Sequence, residues 1–181
     1  MNTTRARPRK TFLISALLTL IAAVTAYTRA APLFPRSEVT NEMQSLAGVT
    51  TVLLEVNPLP EEIEDAGITT VVLRREIRKQ LTENGCVLAK HQGDTAFQLR
   101  MTVVHCVNER VPDAIGIAIF LALEQPTSID RLEKTLLIPT WTSAAVDVFH
   151  RDDTADSIRL NVDIVLADFF RKRKLATQTN R

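Results

Sequence analysis

A two-layer α+β sandwich is the fold this sequence predicts: a mostly antiparallel sheet of about five strands with two long helices on one face. Two stretches carry apolar residues at helical spacing, Leu73, Ile77 and Leu81 in one and Ile158, Val162, Val165 and Phe169 in the other. Between them, residues 97–103 and 114–124 alternate large apolar side chains with polar or small ones at a period of two, as half-buried strands do. Both helical stripes need an apolar partner, and one face of a single sheet supplies it.

The elements follow in order. Val49 to Val56 reads as a short β-branched strand, stopped by Asn57-Pro58-Leu59-Pro60. An acidic connector, Glu61 to Gly67, leads into a helix from Thr70 to Asn84, and Gly85 stands where a helix end favours a left-handed residue. Cys86 to Lys90 is a second strand, Gln92 to Thr95 a turn, and Phe97 to Asn108 a third strand, with Leu99, Met101 and Val103 facing the core. If that turn is a hairpin centred on Gly93-Asp94, Cys86 faces Met101. Ala114 to Glu124 places Ile115, Ile117, Ile119, Leu121 and Leu123 on one face and mainly Ala and Gly on the other. A helix would scatter those five around its cylinder, so the period-two reading wins. Pro126 to Glu133 is read as a turn, Leu136 to Phe149 as a last strand bent or bulged near Pro139, and Asp152 to Lys174 as the closing helix. The order is β-α-β-β-β-β-α, in one domain over 48–175 with a disordered tail expected at 176–181.

Ahead of the domain, Arg5, Arg7, Arg9 and Lys10 form a basic head, Phe12 to Ala26 is apolar, and Val24-Thr25-Ala26 offers small residues for a signal peptidase. The run is shorter than the roughly 20 residues that span a bilayer as a helix, which favours a cleaved signal over 1–26. An uncleaved anchor over residues 11–27 is the alternative. Either places the domain outside the cytoplasm, in the periplasm or extracellular space. The basic head also resembles a degenerate twin-arginine signal. Residues 27–47 lack a sustained period and read as a linker. Removing 1–26 takes four of the 22 Lys and Arg and none of the 21 Asp and Glu, leaving a net charge of −3. That balance argues against a general nucleic-acid partner.

Reactive constellations are sparse. Export makes a disulfide the default for Cys86 and Cys106, the only two cysteines, but strand parity puts them on opposite sheet faces, so both are expected as free thiols. His91, His105 and His150 sit near no nucleophile motif and read as structural. Glu61, Glu62, Glu64 and Asp65 lack the glycine and terminal Glu of a calcium loop and suit a helix start. Arg171-Lys172-Arg173-Lys174 suits a helix C-terminus, where the dipole favours cations. No catalytic residue, cofactor or metal site is expected. One surface stands out: opposite the helices, the sheet presents Thr102, Val104, Ala118, Phe120 and Ala122, and the parity assumed for the last strand adds Trp141. Val104, Phe120 and Trp141 are the expected interaction surface, for a protein partner in the envelope, a second copy or an acyl chain; the equal alternative is that residues 27–47 or a loop fold over this face.

With its first helix of Leu73, Ile77 and Leu81, Gly85 before a strand, the alternating Phe97-to-Val107 strand and a closing helix bearing Phe169-Phe170, the chain resembles periplasmic α/β accessory proteins. These are the lipopolysaccharide-assembly lipoproteins and the auxiliary lipoproteins of lipid-transport systems. The resemblance covers residues 49–174 and implies a non-catalytic helper of an envelope assembly. It carries over no functional residue, and the lipidated cysteine of those families is missing after the apolar run. The expected role is an exported interaction or assembly-accessory module. An enzyme centred on one of the three histidines and a carrier of a small apolar ligand are the alternatives.

Overall fold

The computed structural model describes residues 40–179. The expected signal or anchor and residues 27–39 of the expected linker lie outside the described residues. Five strands form one mixed sheet: β1 (Thr51–Val56), β2 (Val87–Leu88), β3 (Gln98–Asn108), β4 (Val111–Ile129) and β5 (Lys134–His150). Among the described residues four α-helices accompany them: α1 (Asn41–Gln44), α2 (Glu61–Glu64), α3 (Thr70–Glu83) and α4 (Thr154–Thr179). The α+β class and the placement of two long helices against one sheet are as the sequence predicts.

The sheet order is β2-β1-β3-β4-β5. β1 pairs in parallel with both β2 and β3, whereas β3-β4 and β4-β5 are antiparallel hairpins. The expected β2-β3 hairpin is therefore incorrect. The side of β2 that bonds a neighbour is taken by β1: Val87 N–H donates to Thr50 O at 2.8 Å and Ala89 N–H to Val52 O at 2.9 Å, which leaves β2 at the edge of the sheet. A strand entered from a helix after another strand pairs with it in parallel. The chain then crosses to the far side of β1 through a 3₁₀ turn at Gln92–Asp94, where Thr95 Oγ1 bonds Thr51 O at 2.9 Å. Turn chemistry at Gly93-Asp94 was legible; the partner of the following strand was not.

The second difference is the length of the β4-β5 hairpin. Pro126 does not end β4, because β3 starts opposite Glu124 and beyond that point β4 pairs with β5 alone. A proline that meets only one neighbour removes no ladder bond on its open side. The turn is thus confined to Asp130–Glu133, with Glu133 left-handed at φ 48°. β5 carries the expected bulge: Leu123 faces Trp141 while Glu124 faces Pro139, so Thr140 is the extra residue.

One core lies between sheet and helices. Leu73, Ile77 and Leu81 of α3 and Ile158, Val162, Val165 and Phe169 of α4 are buried against Leu99, Met101, Ile115, Ile117, Ile119, Leu121 and Leu123. Each such side chain contributes roughly 1.5–3 kcal/mol on burial. Thr69 caps α3 by accepting from Val72 N–H at 3.3 Å, and Gly85, at φ 76°, ends the helix as expected. Two boundaries shift. Residues 40–47 belong to the fold, since Leu46 is fully buried and Ser45 Oγ bonds Thr140 O at 3.1 Å. α4 runs to Thr179 with Ala176 buried, so the described part of the expected tail is helical.

Candidate functional surface

Strand pairing sets the outer face in rows across β3, β4 and β5. Thr102, Phe120 and Ala144 form one row, Val104, Ala118 and Val146 the next, and Cys106, Gly116 and Val148 a third. No described helix covers them. Val104 is 50 % exposed, Phe120 47 %, Val146 75 % and Val148 70 %. Large side chains stand beside Ala and Gly, so the surface has ridges and hollows rather than a flat wall. The described residues 40–47 pack along the β5 edge, where Thr142 N–H donates to Glu42 Oε1 at 3.2 Å, and leave these rows open.

Trp141 is not on this surface. It is 1 % exposed and packs on Phe169, with ring centroids 5.4 Å apart, while Lys172 Nζ lies 5.7 Å above its ring. The parity assumed for the last strand was inverted. Ile119 faces Ala145 and Leu121 faces Ser143, so odd positions of β5 share the helix side with the apolar row of β4, and even positions supply the outer face. Val146 and Val148 are thus the residues the sequence reading missed. Their alternation with Asp147 and Ala145 was visible, but only the register assigns it a side.

One end of the face is polar. Arg100 bridges Glu55 and Glu124, with nitrogen–oxygen distances of 3.2 Å to each, and Gln98 Nε2 donates to Glu55 Oε2. Gln98 and Glu124 are buried there although the register places them on the outer side. Gln92, Thr95 and Phe97 of the crossing loop meet Leu53, Gln98, Pro126 and Leu137 around a cavity of about 130 Å³. The crossing loop and the long hairpin close this end and leave the valine and phenylalanine rows open.

The other singled-out residues are dispersed. Cys86 is buried and Cys106 exposed, both as free thiols, on opposite faces as parity requires, although the register behind that reading was wrong. Burial pushes the Cys86 thiol up, partly offset by the Arg173 guanidinium beside it. Cys106 Sγ rests over Gly116, where an added Cβ would lie 2.8 Å away. His105 Nε2 is 3.3 Å from Glu62 Oε2. His150 Nδ1 accepts from Asp152 N–H at 3.3 Å, and His91 caps the turn that Asp94 closes. Glu62, Asp65, Gly67, Arg151 and Asp152 line a cleft of about 450 Å³. Among the described residues, no histidine hydrogen-bonds to a hydroxyl or thiol, and no group of three or more His, Cys, Asp or Glu is arranged to hold a metal. Glu64 accepts from Thr70 N–H at 3.0 Å and from its hydroxyl at 2.8 Å, and these bonds hold its carboxyl below the ordinary range. No described helix is long and apolar enough to cross a membrane.

No family model matches the chain. No curated protein matches its sequence. Among solved structures, it is similar to a minor lipoprotein from Acinetobacter baumannii, at 16 % identity and a TM-score of 0.34, over 73 % of this chain and 94 % of that one.

Proposed function

We propose that the protein is an exported, non-catalytic interaction module of the cell envelope, whose outer sheet face docks a protein partner. The observation that carries this is the cluster of Val104, Phe120, Val146 and Val148 across three adjacent rows, exposed together on a face that no described segment covers. Exposed apolar residues scattered singly need no explanation, whereas contiguous ones rimmed by polar groups mark interaction surfaces. Here the rim is the Glu55-Arg100-Glu124 cluster at one end. Export rests on the basic head and apolar run before Ala26.

The test is a change that alters the face without touching the core. Val146→Lys should fold with an unchanged melting temperature, because the side chain is already solvated. Affinity purification from native envelope extracts should recover a discrete protein with the wild type and lose it with the variant. Identical recoveries from both would sink this reading. One observation favours the alternative of acid–base chemistry: the His105–Glu62 pair, whose Glu62 lines the cleft with Asp152 and Arg151. His105→Gln distinguishes the two, since an interaction module retains its partner in that variant.

A further inference from the structure

The basic run 171–174 is not at the helix end that would explain it. α4 continues to Thr179, and its last turn holds no basic residue, so the dipole benefit of a C-terminal cation is out of reach for most of the run. The four cations spread around the helix instead. Lys172 lies over Trp141 and pairs with Asp168 at 2.9 Å. Arg173 reaches the end of α3, donating to Asn84 O at 2.6 Å, to Val49 O at 3.5 Å and to Cys86 Sγ. Every one of those acceptors is neutral. Arg173 is therefore a positioned charge held by carbonyls and a thiol, with no carboxylate beside it. Arg171 shares Asp168 with Lys172, at 2.7 Å, and Lys174 has no ionic or hydrogen-bonding partner among the described residues.

Arg171, Arg173 and Lys174 line one groove of about 490 Å³ between the end of α3 and the last turns of α4. Among the described residues, no carboxylate lines it. Phe170 supplies an apolar wall, and Asn84, Thr177 and Gln178 supply amide and hydroxyl groups. We infer that this groove binds an extended acidic peptide segment of a protein partner. From Arg171 to Gln178 the helix rises about 10 Å, too long for one phosphate group. Carboxylates on alternate residues of an extended chain lie about 6–7 Å apart, so two of them fit within that length. Guanidinium forks pair bidentately with carboxylates. The side-chain amides of Asn84 and Gln178 can meet peptide N–H and C=O groups, which a lipid headgroup does not offer. The groove lies in the helix layer, on the other side of the sheet from Phe120 and Val146, so it is independent of the docking face.

The test is fluorescence anisotropy of a labelled peptide of alternating Glu and Val, and of its Gln counterpart, with the purified full-length protein. The expected result is binding of the Glu peptide at least tenfold tighter than the Gln peptide, weakening with salt. Arg171→Gln with Lys174→Gln should cost at least a further tenfold, with a melting temperature lowered by no more than the loss of the solvated Arg171–Asp168 pair, and Lys174→Arg should keep the wild-type affinity. Arg173 is left intact because it ties α3 to α4. Four results would overturn the proposal: no binding at millimolar protein, equal binding of both peptides, indifference to the double variant, or full displacement by millimolar inorganic phosphate at constant ionic strength. Sedimentation with phosphatidylglycerol vesicles that the double variant abolishes, without peptide binding, would assign the groove to membrane surfaces instead. Val146→Lys should leave peptide binding unchanged, which separates a failure here from a failure of the docking face.

Discussion

Cys106 and Gly116 face each other across β3 and β4, and the thiol occupies the space a side chain at 116 would need. Gly116→Ala forces Sγ against a Cβ at 2.8 Å and should cost about 1–3 kcal/mol, as overpacking does. In a Cys106→Ala background the same change should cost far less, and a double-mutant cycle by urea denaturation measures the coupling. Equal costs in both backgrounds would show that the contact is irrelevant. The two thiols also predict a contrast in reactivity. Cys106 should be alkylated within the mixing time of a mild reagent, whereas Cys86, buried and held protonated, should react only as the protein opens. Mass spectrometry of a time course checks this, and comparable rates would contradict the burial of Cys86.

Asp168 is the third residue whose environment makes a prediction. Burial pushes its carboxyl up, but Arg171, Lys172 and Ser143 outweigh that and hold it below its ordinary value. The folded state therefore favours the ionised form. Its contribution is complete above the ordinary carboxylate range and falls away as the pH drops through the lowered folded value. Asp168→Asn should lose about 1 kcal/mol at neutral pH, the partners being partly solvated. The gap from wild type should close in acid. A gap as wide in strong acid, below the lowered folded value, as at neutral pH would assign the loss to shape rather than charge.

At the scale of elements, β4 shows most directly how one strand serves two environments. Ile119 and Phe120 are adjacent, yet the first is fully buried and the second half exposed on the opposite face. Ile119→Ala should destabilise by roughly 2–5 kcal/mol, while Phe120→Ala should leave the melting temperature nearly intact and weaken association. Similar losses of stability from both, with association unchanged, would make the outer face a second core. The closing helix α4 teaches the opposite lesson about local signals. Its buried stripe was legible from spacing, but its end was not, because Thr177 and Thr179 lack helix-forming character; in the structure Ala176 is buried, and the Thr177 and Thr179 hydroxyls donate to the carbonyls of Arg173 and Leu175. That extension moves the basic run from a helix terminus into a helix interior.

At the scale of the whole molecule, export remains the expectation that the N-terminal sequence carries. The mature chain should begin near Tyr27, and N-terminal sequencing of the exported protein checks it. Recovery of a membrane-bound species that still carries Met1 to Lys10 would instead establish an anchor.

Local periodicity by itself determined the α+β class, both helical core stripes, the alternating faces of β3 and β4, and the placing of Val104 and Phe120 on the face opposite the core. These depend on near neighbours in the chain, where a period of two or 3.6 states directly which side chains share a face. Tertiary structure alone decided the strand order, the parallel pairing of β2 with β1, the side on which Trp141 falls and the groove beside Arg173. Each of those depends on which distant segment satisfies a strand's hydrogen bonds. A one-residue change of register, such as the bulge at Thr140, reverses every face beyond it without altering the local pattern.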